Sequence, residues 1–152
     1  MATLKVKIQE DIILDNQDYG SKRTLEISSI DEIYKRIVDL PSNQSTTIVT
    51  FGSNIYDQIG NLDTEDSKYI RITNLNSSIA VELAIVGAAT LYQVKLKAGH
   101  SHILGSADGL MLSEEDTSPS FGTMADVNSI ICNPGILEAG TTVKLELFIA
   151  SA

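Results

Sequence analysis

Apolar and polar residues alternate with period two along most of this chain, and that alternation constrains the fold more than any other feature. Leu4, Val6 and Ile8 alternate with Lys5 and Lys7, and Leu25 and Ile27 flank Glu26. Ile70 and Ile72 flank Arg71, Val81, Leu83 and Ile85 form a further set, and Val94 and Leu96 flank Lys95. The C-terminal run is the clearest: Val143, Leu145, Leu147 and Ile149 alternate with Lys144, Glu146 and Phe148. Successive side chains of a strand point to opposite faces, so each run describes a strand with one dry and one wet face.

Residues that tolerate turn geometry separate these runs. They occur at Asp18-Tyr19-Gly20-Ser21, Leu40-Pro41-Ser42-Asn43, Asn74-Leu75-Asn76-Ser77, Lys97-Ala98-Gly99, Asp108-Gly109 and Glu138-Ala139-Gly140. The pattern predicts strands over residues 3–9, 22–30, 33–39, 46–51, 68–74, 79–86, 91–97, 101–105, 127–132 and 142–150. Residues 29–40 also carry a helical signature, a Ser29/Glu32 capping box with Ile30, Ile33, Tyr34, Ile37 and Val38 at helical spacing. Their β-branched content favours a strand. Two segments, 53–67 and 109–125, are rich in Gly, Asn and acidic residues and read as long loops, the second with a short helix near Leu110–Glu115.

Many short strands with one dry face each must press those faces together. The expected fold is therefore all-β, an antiparallel β-sandwich of jelly-roll type with two long loops. The 152 residues suit a single domain, 1–152, since domains usually run to roughly 100–200 residues. A chain of this size buries enough surface to fold without a disulfide or a metal.

Charge and cysteine content narrow the partners. Twenty acidic against 11 basic residues give a formal charge of −9, which repels phosphate backbones and argues against nucleic acid. The single cysteine, Cys132, cannot close an internal disulfide. Its neighbours Ile130 and Ile131 mark it as a small core hydrophobe rather than a nucleophile. Residues 1–10 alternate from the start, so no signal peptide is expected, and no apolar run is long enough for a membrane helix. The sequons at Asn43 and Asn76 carry little meaning in a chain that is not secreted.

No constellation for catalysis stands out. His100 and His102 share a side if both lie on a strand, as metal ligands do, but no third His or second Cys completes a site. The wet face of a strand is the better reading of the pair. Ser101 between them points away from both. No Gly-x-Ser-x-Gly elbow, P-loop or dinucleotide fingerprint occurs. The acidic clusters Asp63–Asp66 and Glu114–Asp116 lack the order of an EF-hand and read as solvated loops. No Trp and only 5 Tyr and 3 Phe leave few platforms for sugar stacking. Catalytic residues, metal ligands and cofactors are accordingly not expected, nor is enzymatic activity.

Three stretches carry a family likeness. Tyr69-Ile-Arg-Ile-Thr-Asn-Leu-Asn-Ser-Ser, Val81-Glu-Leu-Ala-Ile-Val-Gly and Val94-Lys-Leu-Lys-Ala-Gly-His-Ser-His-Ile-Leu follow in order. The opening Leu4-Lys-Val-Lys-Ile-Gln-Glu-Asp-Ile-Ile-Leu and the closing Val143-Lys-Leu-Glu-Leu-Phe-Ile-Ala-Ser join them. Together they resemble small β-sandwich virion structural proteins of tailed, marine-type bacteriophages. The resemblance implies a subunit assembled in a bacterial host's cytoplasm and carried in the virion, on the capsid surface as a decoration or cement protein. A neck, tail or fibre-tip component that binds a host receptor or glycan is the alternative. The implied partners are further copies of the chain and a shell or tail protein, with neither nucleic acid nor membrane. The loops at 53–67 and 109–125 are the expected contact regions.

Overall fold

A computed structural model describes residues 1–53, 60–115 and 121–152. Every regular element in it is a strand. In chain order these are β1 (Ala2–Glu10), β2 (Ile13–Leu14), β3 (Gln17–Asp18), β4 (Ser21–Ile30) and β5 (Glu32–Leu40). They continue with β6 (Thr46–Gly52), β7 (Asn61–Asp63), β8 (Ser67–Asn74), β9 (Val81–Val86) and β10 (Leu91–Leu96). The last are β11 (Ser101–Leu104), β12 (Met111–Leu112), β13 (Met124–Ala125), β14 (Ser129–Asn133) and β15 (Val143–Ser151).

Two sheets form the body. One has the order β11-β8-β15-β5 and the other β10-β9-β14-β6-β7. Their pairings are nested: β5 with β15, β6 with β14, β8 with β11 and β9 with β10, all antiparallel. The chain thus lays down four strands and returns along them in reverse. Among the described residues β7 alone pairs in parallel, on β6.

The alternation in the sequence explains which side chains fill the space between the sheets. Across β15 and β8, Leu145, Leu147 and Ile149 oppose Asn74, Ile72 and Ile70, so the shared inner face of these two central strands is apolar there apart from Asn74. Val81, Leu83, Ile85, Ile130 and Cys132 supply the facing layer of one contiguous core. Each of these residues is buried. The opposite face of β15 carries Lys144, Glu146 and Phe148, as the period of two requires.

Residues 29–40 hold no helix: β4 ends at Ile30 and β5 begins at Glu32. Ser29, at φ +65°, is left-handed and non-glycine, which is uncommon. It lies beside the irregular register between Ala2 and Leu4. A kink of this kind bends a strand and re-aims it, here where β4 leaves its hairpin and β5 enters the sheet.

Both long segments hold more strand than the sequence suggests. β7 lies within 53–67, and β12 pairs with β13 where a short helix was expected. Met and Leu at 111 and 112 take extended backbone because Thr123–Ala125 lies alongside, with Ser113 N donating to Thr123 O. Residues 54–59 and 116–120 of these segments, Asp116 among them, lie outside the described residues.

Candidate functional site

The histidines do not form a unit. His100 precedes β11 and is exposed, and its Nδ1 lies 2.9 Å from the Ala98 carbonyl oxygen. His102 is half-buried on the inward side of β11, with Nε2 3.2 Å from the Tyr92 hydroxyl. The wet-face expectation therefore fails for His102. Pairing of β11 with β8 sets His102 opposite the buried Ile72, and the solvent-facing positions go to Ser101 and Ile103. Burial lowers the His102 pKa below its ordinary 6.5 and raises that of Tyr92. Ser101 Oγ meets Thr73 Oγ1 at 2.7 Å on the outer face, across the sheet from His102.

Cys132 lies in β14 within the core, and burial pushes its thiol up to about 12. A protonated, enclosed sulfur is a poor nucleophile and a poor metal ligand. Of the acidic segment, Asp63 spends its side chain on its own loop, Oδ1 accepting from Glu65 N at 2.9 Å. Its carbonyl accepts from Ser67 Oγ at 2.7 Å. Asp31, Glu32, Asp63 and Asp66 border a recess of about 180 Å³. Among the described residues no three His, Cys, Asp or Glu side chains are placed to hold a metal ion.

Among the described residues, the largest charged assembly lies on the outer face of the four-stranded sheet. Arg71 Nη2 donates to Glu146 Oε1 at 2.5 Å, and Lys35 Nζ lies 3.4 Å from the other carboxylate oxygen. The Arg71 guanidinium also stacks 5.7 Å over the Phe148 ring, which meets Tyr69 edge-on at 6.1 Å. The Arg71 hydrogen bond, followed by the charges of Arg71 and Lys35, holds Glu146 below the usual carboxylate value against the opposing effect of burial. This is a satisfied surface network rather than a poised acid or base.

The feature of the surface that stands apart is an arm. β1 and β4 form a two-stranded ribbon that joins neither main sheet. At its root, Leu4, Val6 and Ile27 pack on a small cluster made by Ile30, Tyr69 and Ala150. Beyond the root, residues 7–26 are exposed without a break. The same apolar face continues outward through Leu25 and Ile8, both more than half exposed. At the tip, β2 and β3 close a tight hairpin through Asp15 and Asn16, both at positive φ. This is the twist that two-residue hairpin turns require. Ile12, Ile13, Leu14 and Tyr19 of the tip all face solvent.

Sequence reasoning placed strands at 3–9 and 22–30 but assigned their dry faces to the sandwich. Alternation reports that a face is apolar, not what covers it. The Asp15-Asn16 pair directly after Ile12-Ile13-Leu14 was the available signal for a hairpin turn.

The fold and surface define an all-β, two-sheet sandwich protein with a projecting hairpin arm. Comparison with protein-family models, with curated proteins and with solved structures returns no match.

Proposed function

We propose that this chain is a non-catalytic structural subunit of a tailed-bacteriophage virion, a decoration or cement protein that stabilises the shell by symmetric protein–protein contacts. The observation that carries the reading is the arm, twenty consecutive exposed residues with an uncovered apolar face. Contiguous exposed apolar surface marks interaction sites, and a lone two-stranded ribbon is marginal in water without a partner. We read the nested strand order as that of a jelly roll, an architecture that recurs in viral capsid and lectin domains. Because fold alone does not assign function, the weight rests on the arm. The contact region moves with it, from the loops at 53–67 and 109–125 to residues 7–26.

The test is the assembled particle. Mass spectrometry of purified virions is expected to detect the chain, and imaging to find ordered copies on the shell. Particles assembled without it are expected to rupture at lower temperature. Absence of the chain from purified particles sinks the reading. A single ring of copies at the neck or tail transfers it to a neck or tail role. The receptor- or glycan-binding alternative draws on the exposed Tyr19 and Phe121 and predicts specific binding on a glycan array.

A further inference from the structure

The arm is an unfinished surface, and the same chain carries a surface of matching chemistry. Between residues 10 and 20 there are four carboxylates, Glu10, Asp11, Asp15 and Asp18, and no Lys or Arg. Ile12, Ile13 and Leu14 lie among them, exposed. At the root, a groove of about 340 Å³ runs between β1 and the outer face of the four-stranded sheet. Lys5, Lys7 and Arg71 line it together with apolar Ile8, Ile103 and Phe148. Lys5 pairs with Glu26 and Arg71 with Glu146, so among the described residues Lys7 is the groove cation without a carboxylate partner. An acidic, apolar tip thus complements an apolar groove lined by the Lys7 ammonium. The two cannot meet within one molecule, because β1 runs extended and carries the tip away from the groove at about 3.3 Å per residue.

Direct pairing of two β1 edges does not answer this arrangement. In the antiparallel register centred on Val6, which brings Leu4, Val6 and Ile8 of both copies together on one face, Lys5 and Lys7 fall opposite lysines of the other copy. Like charges directly opposite destabilise a strand pair, and edge lysines guard against self-pairing. Crossing the arms root to tip instead sets acids against bases.

We propose that two copies of this chain exchange arms. The tip of each lies in the groove at the root of the other, and a two-fold axis passes between the crossed ribbons, where Ile8 and Leu25 meet their counterparts. The size is sufficient. A standard stable interface uses about 20–30 residues a side, and residues 7–26 provide twenty, Lys7 and Ile8 of the groove among them. Reciprocity follows from the symmetry, since a two-fold contact uses the same patch on both partners. The inference deepens the assembly reading and rests on it for the expectation that copies meet.

The experiment uses the full chain in sedimentation velocity from roughly 1 to 100 μM, a range that reaches the weaker end expected of standard interfaces. The wild type is expected to be a dimer. Lys7→Glu in the groove and Asp11→Lys at the tip each set like charges together and are expected to weaken self-association at least about tenfold. An equimolar mixture of the two variants pairs each altered surface with an unlike one and restores the dimer, which also shows that both variants are folded. A monomer throughout the range overturns the proposal, as does a dimer indifferent to both reversals or a mixture that fails to associate. A monomer that is nonetheless present in purified virions leaves the virion reading standing and assigns the arm to a different protein.

Discussion

The side-chain amide of Asn74 in β8 donates to the main-chain carbonyl of Leu96 in β10 at 3.1 Å, so a buried polar group ties one sheet to the other. The same nitrogen reaches the Ile79 carbonyl at 2.8 Å. Its Oδ1 accepts from Asn76 N at 3.1 Å and from Asn76 Nδ2 at 2.7 Å. Every one of these bonds is lost in Asn74→Ala, and the Leu96 carbonyl is left buried. A destabilisation of about 2–3 kcal/mol is expected, read as a lower urea midpoint with unchanged slope. A loss under about 0.5 kcal/mol, the size of an ordinary surface substitution, would contradict the role of the knot.

Glu146 links stability to pH on the acid side. Its folded pKa lies below the ordinary 4.5 because Arg71 holds the carboxylate. A depressed acid contributes stability that is fully present above the unfolded value and is lost as pH falls through the folded one. The stability gap between wild type and Glu146→Gln is therefore expected to be constant above pH 4.5 and to shrink below it. Urea unfolding across a pH series measures that gap. A gap that does not change on acidification removes Arg71 as its cause.

His102 acts in a separate window. Burial beside Tyr92 disfavours its charged form, so the folded pKa lies below 6.5. The unfolded chain binds the proton first, and stability falls as pH drops from 6.5 towards the folded value. NMR titration of the His102 ring is expected to give a midpoint below 6.5, and His102→Phe to abolish this part of the pH dependence. A ring that titrates at or above 6.5 would place it in water.

Cys132 is expected to be silent towards thiol reagents in the folded protein. Its thiol is enclosed and pushed up to about 12, so modification waits for opening of the sandwich. The rate with Ellman's reagent should track added denaturant. Rapid stoichiometric labelling in native buffer would mean that β14 opens locally.

Gly87 marks where β12 closes on the sheet. A Cβ built there lies 2.8 Å from Met111 Cβ, closer than real contacts allow. Gly87→Ala is expected to cost about 1–3 kcal/mol by overpacking, measured by thermal or urea unfolding. Met111→Ala added to Gly87→Ala is expected not to relieve the clash, because alanine keeps the Cβ.

What the sequence determined by itself is local. The side-chain period is a property of neighbouring residues, so Val143–Ile149, Val81–Ile85 and Ile70–Ile72 announced strands and their dry faces. All of these face the core. Ser29–Leu40 was ambiguous because its apolar residues satisfy two periods at once. Pairing of β5 with β15 over its whole length decided for strand.

Tertiary structure alone decided what covers each face. Leu25 and Leu145 look alike in the sequence, each an apolar residue beside a charged one, yet one is exposed and the other fully buried. The difference is the kink at Ser29, which sends β4 away from the body, and the nested strand order, which encloses β15. Burial depends on contacts between residues far apart along the chain, and a period of two contains no information about them. For the same reason the histidine at 102 turned inward and the apolar face of the arm stayed exposed.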